Sequence, residues 1–173
     1  MKTKIVMIAI ATMGIMLTSC NSDDDNNCIP NYIGELLAAE EKLVGKWVLT
    51  SMVAEDEVDI TDDDTENPST DLFAQYSDCE KDLFYTFNDA RVMKFMVGTT
   101  ATDCDNETES TSSWKLEGDR IYFINTCMEF YVPVAFAMDN SAFSIESDVV
   151  ITDVEDENIT TTVTYVYTKE VAL

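Results

Sequence analysis

The strongest constraint on the fold of this chain is a repeating pattern of short β-type segments that begins after Gly45. Val, Ile, Thr, Tyr and Phe dominate these segments, and turns rich in Asp, Asn, Ser and Gly separate them. The predicted strands are 46–54, 83–87, 91–97, 113–117, 120–125, 129–138, 142–151 and 159–170. Eight strands with short connections and no interleaved helices favour an antiparallel up-and-down barrel or a sandwich.

The segments around these strands carry further expectations. A short helix is predicted over 30–43, where apolar residues recur near helical spacing. The loop 55–77 is long and acidic, with a helical turn predicted over 71–76, and a second polar loop covers 99–111. Pro133 interrupts the sixth strand and predicts an edge or a bulge there.

The first 19 residues have the composition of a secretory signal. Two lysines precede an apolar stretch over 5–17, which is too short for a membrane-spanning helix of about 20 residues. The run Leu-Thr-Ser-Cys that ends at Cys20 resembles the lipobox of bacterial lipoproteins. This resemblance implies that the leader is cleaved before Cys20 and that acyl chains are attached to the cysteine. An ordinary secretory signal with a chance cysteine is the alternative.

Residues 20–29 form the predicted lipidated cysteine and an acidic, flexible tether. Within this tether, Ser22, Asp23, Asp24 and Asp25 resemble the surface-export signal of one group of Gram-negative lipoproteins. The resemblance implies an outer-membrane protein that is held by its lipid and faces the medium. A plain solvated spacer is the alternative, because acidic linkers are common.

The chain is strongly acidic, with 34 Asp and Glu against 10 Lys and Arg and a net charge of −24. Loss of Lys2 and Lys4 with the leader leaves 8 basic residues against 34 acidic ones, a net charge of −26. Such a chain repels the phosphates of nucleic acids, so no nucleic-acid partner is expected. The expected partners are the membrane, a small ligand or another envelope protein.

The sequence contains no histidine. Ser-His-Asp catalysis, Cys-His catalysis and histidine-based zinc or iron sites are therefore excluded. No other arrangement of nucleophile and base is evident, so we predict that the protein is not an enzyme and carries no cofactor.

Two acidic runs in the first loop, 55–59 and 62–64, offer oxygen ligands of the kind that bind Ca²⁺. The EF-hand pattern fails, because counting from Asp62 finds no Gly at the sixth position and no Glu at the twelfth. We therefore predict a solvated loop at the rim of a barrel and no metal site.

Four cysteines follow Cys20, namely Cys28, Cys79, Cys104 and Cys127. An exported chain meets an oxidising compartment, where paired cysteines are the default. Four cysteines allow three connectivities, and the residues alone leave them open. A four-thiolate metal site is a poor rival, because the sequence has no Cys-x-x-Cys pair.

Three motifs, taken together and in order, resemble the lipocalin-like lipoproteins of Gram-negative bacteria. They are Leu-Val-Gly-Lys-Trp over 43–47, the Cys79 segment followed by Leu-Phe-Tyr-Thr-Phe-Asn-Asp over 83–89, and Ser-Trp-Lys-Leu-Glu-Gly-Asp over 113–119. The second motif departs from the family at Ala90, where the usual turn has glycine. The resemblance covers 30–170 and implies a lipocalin-like eight-stranded barrel domain over 30–173, with the short helix before it.

The resemblance also implies a disulfide between Cys79 and Cys104, which leaves Cys28 and Cys127 as a second pair. Closing the first of these loops would stabilise the fold by roughly 3 kcal/mol on the chain-entropy model.

Two tryptophans are expected to pack at the end of the barrel. The resemblance implies that Trp47 lies across its closed end, and we assign Trp47 and Trp114 to packing rather than to ligand contact. Residues that line a ligand site are not identified. Thr162, Thr164 and Thr168 would line a cavity if they faced inward, but an outward face explains them equally well.

For function, the resemblance implies that the barrel binds a small apolar or amphipathic molecule. The alternative is a structural module whose acidic rim loops, 55–78 and 99–111, contact another envelope protein.

Overall fold

The structure, a computed structural model, describes residues 28–105 and 107–170. The predicted leader over 1–19, the predicted lipidation site Cys20 and the proposed export signal over 22–25 lie outside the described residues, so they stay predictions. Within the described part of the chain, no helix is both long enough and apolar enough to cross a membrane.

The described residues form ten strands and two short α-helices, joined by turns and loops. The helices are α1 (Leu72–Gln75) and α2 (Asp78–Lys81). The strands are β1 (Gly45–Val58), β2 (Ser69–Asp71), β3 (Leu83–Phe87), β4 (Val92–Val97), β5 (Thr108–Glu117), β6 (Arg120–Asn125), β7 (Met128–Pro133), β8 (Ala135–Phe136), β9 (Ala142–Thr152) and β10 (Asn158–Lys169). Nine strands follow the order β7-β6-β5-β4-β3-β1-β10-β9-β8, and β2 pairs with β1 beside them. This antiparallel sheet curls into a nearly closed barrel, so the predicted all-β barrel is confirmed.

The barrel closes through the segment 128–136, which the sequence pattern treats as one strand. Its first half, β7, pairs with β6, and its second half, β8, pairs with β9. The break falls at Val134, directly after Pro133, which has no amide hydrogen to give to a ladder. The next amide, that of Val134, donates to the Asp119 carbonyl oxygen at 2.7 Å. Counted as one strand, β7 and β8 complete the predicted eight-stranded up-and-down barrel.

Alternation along β10 shows how the sequence determines the two faces of the sheet. Val163 and Tyr167 are buried in the core, whereas Thr168 is exposed and bonds to Thr50 of β1, with the two hydroxyl oxygens 2.8 Å apart. The Thr162 hydroxyl donates to the Asp148 carboxylate on the same outer face, at 2.9 Å. The three threonines considered as cavity lining therefore face outward.

Trp47 seals one end of the barrel, which we call the closed end. Its indole is fully buried, and the indole N–H donates to the Leu43 carbonyl oxygen at 2.7 Å. The Lys169 ammonium lies 5.3 Å from the Trp47 ring centroid and donates to the Lys42 carbonyl oxygen at 2.9 Å. The Phe143 ring packs beside the indole, with centroids 4.9 Å apart. Trp47 is thus a packing residue in this structure.

Trp114 is also fully buried, next to the turn that joins β3 to β4. Its indole N–H donates to the Asn88 carbonyl oxygen at 3.2 Å. The ring packs edge-on against Phe87, with centroids 5.3 Å apart. Both tryptophans therefore lie in the core rather than on an accessible surface.

The predicted helix over 30–43 is wrong. Residues 28–37 have no regular secondary structure, and only Glu41–Leu43 form a single 3-10 turn. Gly34 adopts a φ of 94°, a left-handed conformation that a right-handed helix cannot accommodate. The backbone bonds to the barrel instead, as from the Tyr32 amide to the Ser113 hydroxyl at 3.1 Å. Apolar spacing was a misleading signal here, because the segment lies along the outside of the barrel as a strap.

A buried ion pair between Glu40 and Arg91 clamps this segment to the closed end. The two guanidinium–carboxylate bonds are both 2.8 Å long, and the residues are only 1% and 7% exposed. The Glu40 carboxylate also accepts the amides of Leu37 and Leu116, at 2.7 and 3.1 Å. The Arg91 guanidinium donates further bonds to the carbonyl oxygens of Gly34, Glu35 and Trp114. Each charge keeps several partners, which offsets the cost of removing it from water.

Two disulfides tie the loops to the barrel, and they join the pair that the resemblance implied and the pair that it left over. Cys79 in α2 is bonded to Cys104 in the loop after β4, and Cys28 is bonded to Cys127 in the turn between β6 and β7. The Asp82 carboxylate reinforces the first of them by accepting two amides of the same loop, at 2.6 and 2.9 Å.

The two rim loops are shorter than predicted, because the strands beside them are longer. β1 continues to Val58, which pairs with β2, and β5 begins at Thr108, opposite Val97 of β4. The residues 55–58 and 108–111 are therefore strand rather than loop. The helical turn predicted within the first loop is confirmed as α1.

Candidate ligand-binding site at the open end of the barrel

The inner face of the barrel changes from buried to partly exposed along its length. Near the closed end the inward-facing residues are at most 4% exposed, and they include Trp47, Phe87, Trp114, Phe143 and Tyr167. Towards the other end the inward-facing residues are only half-buried, and they include Tyr85, Phe95, Ser110, Ile145, Val149 and Tyr165. We call this second set the barrel opening.

Strand register and ring contacts place these side chains inside the barrel. The Tyr85 ring centroid lies 5.0 Å from that of the buried Tyr167 and 5.0 Å from that of Phe95. Tyr165 lies two residues before Tyr167 on β10, and Ile145 of β9 pairs with it on the same face. The barrel opening is therefore a continuation of the core.

The wall around the opening has a gap between β7 and β9. Among the described residues, no hydrogen-bonded ladder joins β7 to residues 145–152 of β9. This part of β9 pairs with β10 alone. The Phe130 ring on β7 stacks on Phe123 inside the barrel, with centroids 5.2 Å apart, yet 46% of Phe130 is exposed. Met128, at the start of β7, is exposed as well. The gap is therefore a break in the hydrogen bonding of the wall, and Phe130 is partly exposed at its edge.

The segment between β1 and β3 covers the barrel from the other side. Leu72 of α1 is fully buried in the core. The side-chain nitrogen of Gln75 donates to the carbonyl oxygens of Val58 and Ser69, at 3.0 and 3.3 Å. Its side-chain oxygen accepts the Ile60 amide at 2.9 Å. These three bonds hold α1 against the end of β1, so this side of the barrel is covered.

Four tyrosine hydroxyl groups lie near one another inside the barrel, those of Tyr76, Tyr85, Tyr165 and Tyr167. The Tyr85 and Tyr167 rings pack edge to face, with centroids 5.0 Å apart. Burial raises the pKa of Tyr76 and of Tyr85 to about 12, and it raises the pKa of the other two as well. All four phenols are therefore neutral at physiological pH and can donate or accept a hydrogen bond.

Each lysine and arginine of the described ranges already interacts with a carboxylate or an aromatic ring. Five of their eight lysines and arginines form ion pairs with carboxylates, namely Lys46, Lys81, Arg91, Lys94 and Lys115. The other three lie over aromatic rings, namely Lys42, Arg120 and Lys169. An anionic ligand in the opening would therefore meet hydroxyl donors but no uncommitted countercharge from these residues.

A separate pocket of about 340 Å³, which we call the acidic rim pocket, lies beside the hairpin that joins β9 to β10. Seven carboxylate residues line it, namely Glu57, Asp59, Asp62, Asp64, Glu66, Asp153 and Glu155. The Asp59 carboxylate accepts the amide and the hydroxyl of Thr61, at 3.1 and 3.0 Å, and the Asn67 amide at 2.9 Å. These bonds, that from Asn67 first, hold the pKa of Asp59 below its usual value. Asp59 therefore organises its own loop.

The acidic runs considered for Ca²⁺ contribute to this pocket. Within the part of the chain that the structure describes, no group of three or more acidic or cysteine side chains has an arrangement that could hold a metal ion.

The predicted site residues lie at three places relative to the barrel opening. Trp47 and Trp114 are in the core of the closed end, Cys79 and Cys104 are on the rim, and Cys28 and Cys127 lie beside the gap at the start of β7. Sequence reasoning missed the residues of the opening, because aromatic residues occur on both faces of these strands. Alternation from a known core residue such as Tyr167 would have assigned Tyr165 to the inside.

A comparison of sequences relates this barrel to a family. A family model described as "Domain of unknown function (DUF5004)" matches residues 21–170. The chain belongs to the DUF5004 family. The matched DUF5004 region contains every strand of the barrel. A search of curated proteins finds no match to the chain.

Proposed function

We propose that this DUF5004 protein is a non-enzymatic lipoprotein of the cell envelope whose barrel binds a small apolar or amphipathic molecule. The observation that carries the proposal is the barrel opening, where the inner face of the barrel has half-buried aromatic and aliphatic side chains in place of a fully buried core. Apolar side chains on a concave surface gain free energy when a ligand removes them from water. The resemblance to lipocalin-like lipoproteins implies the same use of the barrel.

The chemistry of the opening favours a ligand whose polar group is neutral. Phe95, Phe130 and Ile145 supply apolar contacts, and the Tyr165 hydroxyl can bond to an alcohol, an ester or an amide. The described lysines and arginines are committed elsewhere, which disfavours a carboxylate or a phosphate. Native mass spectrometry of the protein isolated from its host would give the mass of a co-purified ligand.

Displacement of a neutral, environment-sensitive fluorescent probe tests binding in the opening. We expect Phe130→Ala and Ile145→Ser each to weaken probe binding about tenfold, since the loss of about 1.4 kcal/mol of apolar contact is a factor of ten. Tyr131→Ala is the matched control, because Tyr131 is about as exposed as Phe130 but packs against Tyr122 on the outer face. Unchanged probe affinity in both opening variants would contradict the proposal.

The anchor in this proposal depends on Cys20. The family match begins at residue 21, so the predicted leader over 1–19 and Cys20 lie outside the matched region. We expect Cys20→Ser to lose metabolic labelling with palmitate and to leave the membrane fraction. Membrane retention at the wild-type level would contradict the anchor.

The proposed location is the outer membrane, with the barrel facing the medium. Its support is the acidic run Asp23, Asp24 and Asp25 after the predicted lipid. We expect protease added to intact cells to digest the wild-type protein and to spare a variant in which all three are asparagine. Digestion of both, or of neither, would contradict this export signal.

A second candidate function is contact with another envelope protein through the rim loops within 55–78 and 99–111. The observation that favours it is the acidic rim pocket, whose loop is held in place by the bonds of Asp59. Photo-cross-linking from Glu66 on intact cells distinguishes the two functions. A single specific adduct, together with unchanged probe binding in Phe130→Ala, would favour the interaction module.

A further inference from the structure

The disulfide between Cys28 and Cys127 determines where the chain before residue 28 meets the barrel. Its two Cα atoms are 4.4 Å apart, and the Ile29 amide donates to the Cys127 carbonyl oxygen at 3.3 Å. Cys127 lies in the turn between β6 and β7, at the end of the barrel opposite Trp47. The predicted tether therefore leaves the barrel at its open end, beside the gap.

Three exposed apolar side chains lie near this exit point. Ile29 follows the disulfide directly, and Met128 and Phe130 lie on the same face of β7, which begins one residue after Cys127. Between 42% and 57% of each residue is exposed. Single exposed apolar residues are common, but several at one place mark an interaction surface. We call these three residues the tether-side patch.

We propose that the tether-side patch contacts the bilayer that holds the acyl chains of Cys20, so that the barrel opening faces the membrane. This inference rests on the lipid anchor of the proposed function. Cys28 lies eight residues after Cys20, and a fully extended chain of that length spans at most about 29 Å. The exit point therefore stays within about one bilayer thickness of the lipid. Such a short link raises the effective concentration of the patch at the membrane surface.

The charges near the patch determine which lipid surface it fits. The Glu129 carboxylate accepts the Tyr32 hydroxyl at 2.5 Å, and the Arg120 guanidinium lies over the Tyr131 ring at 4.7 Å. The Lys115 ammonium lies over the Tyr32 ring at 5.1 Å, so both of these cations are held over aromatic rings, and the chain as a whole carries a net charge of −24. Contact through headgroup charge is therefore unfavourable at an anionic surface. The patch fits a zwitterionic surface, where apolar side chains enter the boundary between headgroups and acyl chains.

This orientation also assigns a source to the ligand. Phe130 belongs both to the tether-side patch and to the edge of the gap. A lipid-soluble molecule could therefore pass from the bilayer into the barrel along β7 without crossing bulk water.

Tryptophan reporters in the acylated, full-length mature protein test the inference. The protein is reconstituted into phosphatidylcholine vesicles with brominated acyl chains, which quench nearby indoles. Met128→Trp places a reporter in the tether-side patch, and Met138→Trp places a matched reporter in the exposed turn after β8, at the closed end. The native Trp47 and Trp114 are fully buried, so both variants share their background. We expect quenching and a blue shift for Met128→Trp and an unchanged emission spectrum for Met138→Trp.

Flotation of the same samples separates failure of the anchor from failure of the orientation. Protein that does not float with the vesicles lacks the anchor, which would overturn both the proposed function and this inference. Protein that floats with equal quenching at both positions would overturn this inference alone. A blue shift at position 128 without quenching would mean that a second copy covers the patch, which also overturns it.

Removal of the disulfide supplies a second measurement on the same background. We expect Met128→Trp combined with Cys28→Ser and Cys127→Ser to float as before and to lose its preferential quenching, because residue 28 is no longer held at the exit point. Circular dichroism of this variant verifies that the barrel is still folded. A folded variant that keeps the full quenching would overturn the role given to the disulfide.

Discussion

Glu40 and Arg91 decide whether the strap before β1 stays on the barrel. Burial by itself would raise the pKa of Glu40, but hydrogen bonds from Arg91 and from the Leu37 and Leu116 amides outweigh it. They hold the pKa of Glu40 below its ordinary value, so the pair remains ionised at neutral pH. Removal of either partner leaves a buried charge without compensation.

We expect Glu40→Gln to lower the free energy of unfolding at pH 7 by about 3–5 kcal/mol, because Arg91 then keeps a buried, unpaired charge. A carboxyl whose folded pKa is lowered contributes fully above its unfolded pKa of about 4.3, and this contribution is lost as the pH falls through the folded value. The difference between the wild type and Glu40→Gln therefore shrinks below about pH 4. Urea unfolding at a series of pH values measures it.

Glu41→Gln is the matched control for this substitution, because Glu41 is the exposed neighbour of Glu40. We expect it to change the free energy of unfolding by less than about 0.5 kcal/mol. A loss equal to that of Glu40→Gln would mean that net charge, and not the buried pair, is responsible.

Gly45 lies at the start of β1 with a φ of 132°, and a Cβ atom there would lie 2.9 Å from Cε of Lys169. We expect Gly45→Ala to destabilise the protein by about 2–3 kcal/mol, because a φ of 132° lies outside the regions that an L-residue readily adopts, whereas the end of the flexible Lys169 side chain can move away from the new methyl group. Gly118 has a φ of 63°, in the left-handed helical region, and faces open space, so Gly118→Ala is expected to cost only about 1 kcal/mol. Thermal unfolding followed by tryptophan fluorescence compares them, and equal losses would contradict the greater backbone strain at Gly45.

At the scale of elements, the strands could be predicted because one face of each strand packs in the core and the other faces solvent. Residues such as Val163 and Tyr167 alternate with threonines, and Pro133 marks the break between β7 and β8. The strap over 28–43 was not predictable, because its conformation depends on partners distant in sequence. Its apolar residues have helical spacing, but Arg91 and Ser113 on the barrel take the bonds that a helix would satisfy internally.

The two disulfides close loops of very different length, with separations of 25 and 99 residues. On the chain-entropy model we expect loss of the Cys79–Cys104 bond, by Ser at both positions, to cost about 3 kcal/mol and loss of Cys28–Cys127 to cost about 4.7 kcal/mol. Urea unfolding measures both. In the variant without Cys79–Cys104, Asp82 still holds the rim loop through its two hydrogen bonds. A larger loss of unfolding free energy in this variant than in the variant without Cys28–Cys127 would contradict the prediction.

At the scale of the whole molecule, the barrel is asymmetric from end to end. The closed end has both tryptophans, the clamp and the strap, whereas the other end has half-buried aromatic residues and a gap. The barrel architecture followed from strand number and spacing. The gap could not be predicted, because it depends on how far β9 extends beyond its pairing with β8. The hydroxyl cluster likewise needs Tyr76 of the covering segment to meet Tyr165 of β10.

The charge distribution around the opening predicts which ligands compete. We expect dodecanol to displace a neutral probe at a concentration at least about tenfold lower than dodecanoate at pH 8, because an unpaired carboxylate costs more than about 1.4 kcal/mol to desolvate. Fluorescence titration of the wild-type protein measures both. Stronger displacement by dodecanoate would show that a positive charge reaches the opening.

The uneven lengths of β7, β8 and β9 leave backbone donors and acceptors along the gap that a strand from another molecule could satisfy. Glu129, Glu146 and Asp148 are exposed beside these edges, and their like charges keep neighbouring copies apart at neutral pH. Mild acid near the isoelectric point of about 4.1 removes this mutual repulsion. We therefore expect acidification to favour edge-to-edge pairing of two copies at this gap.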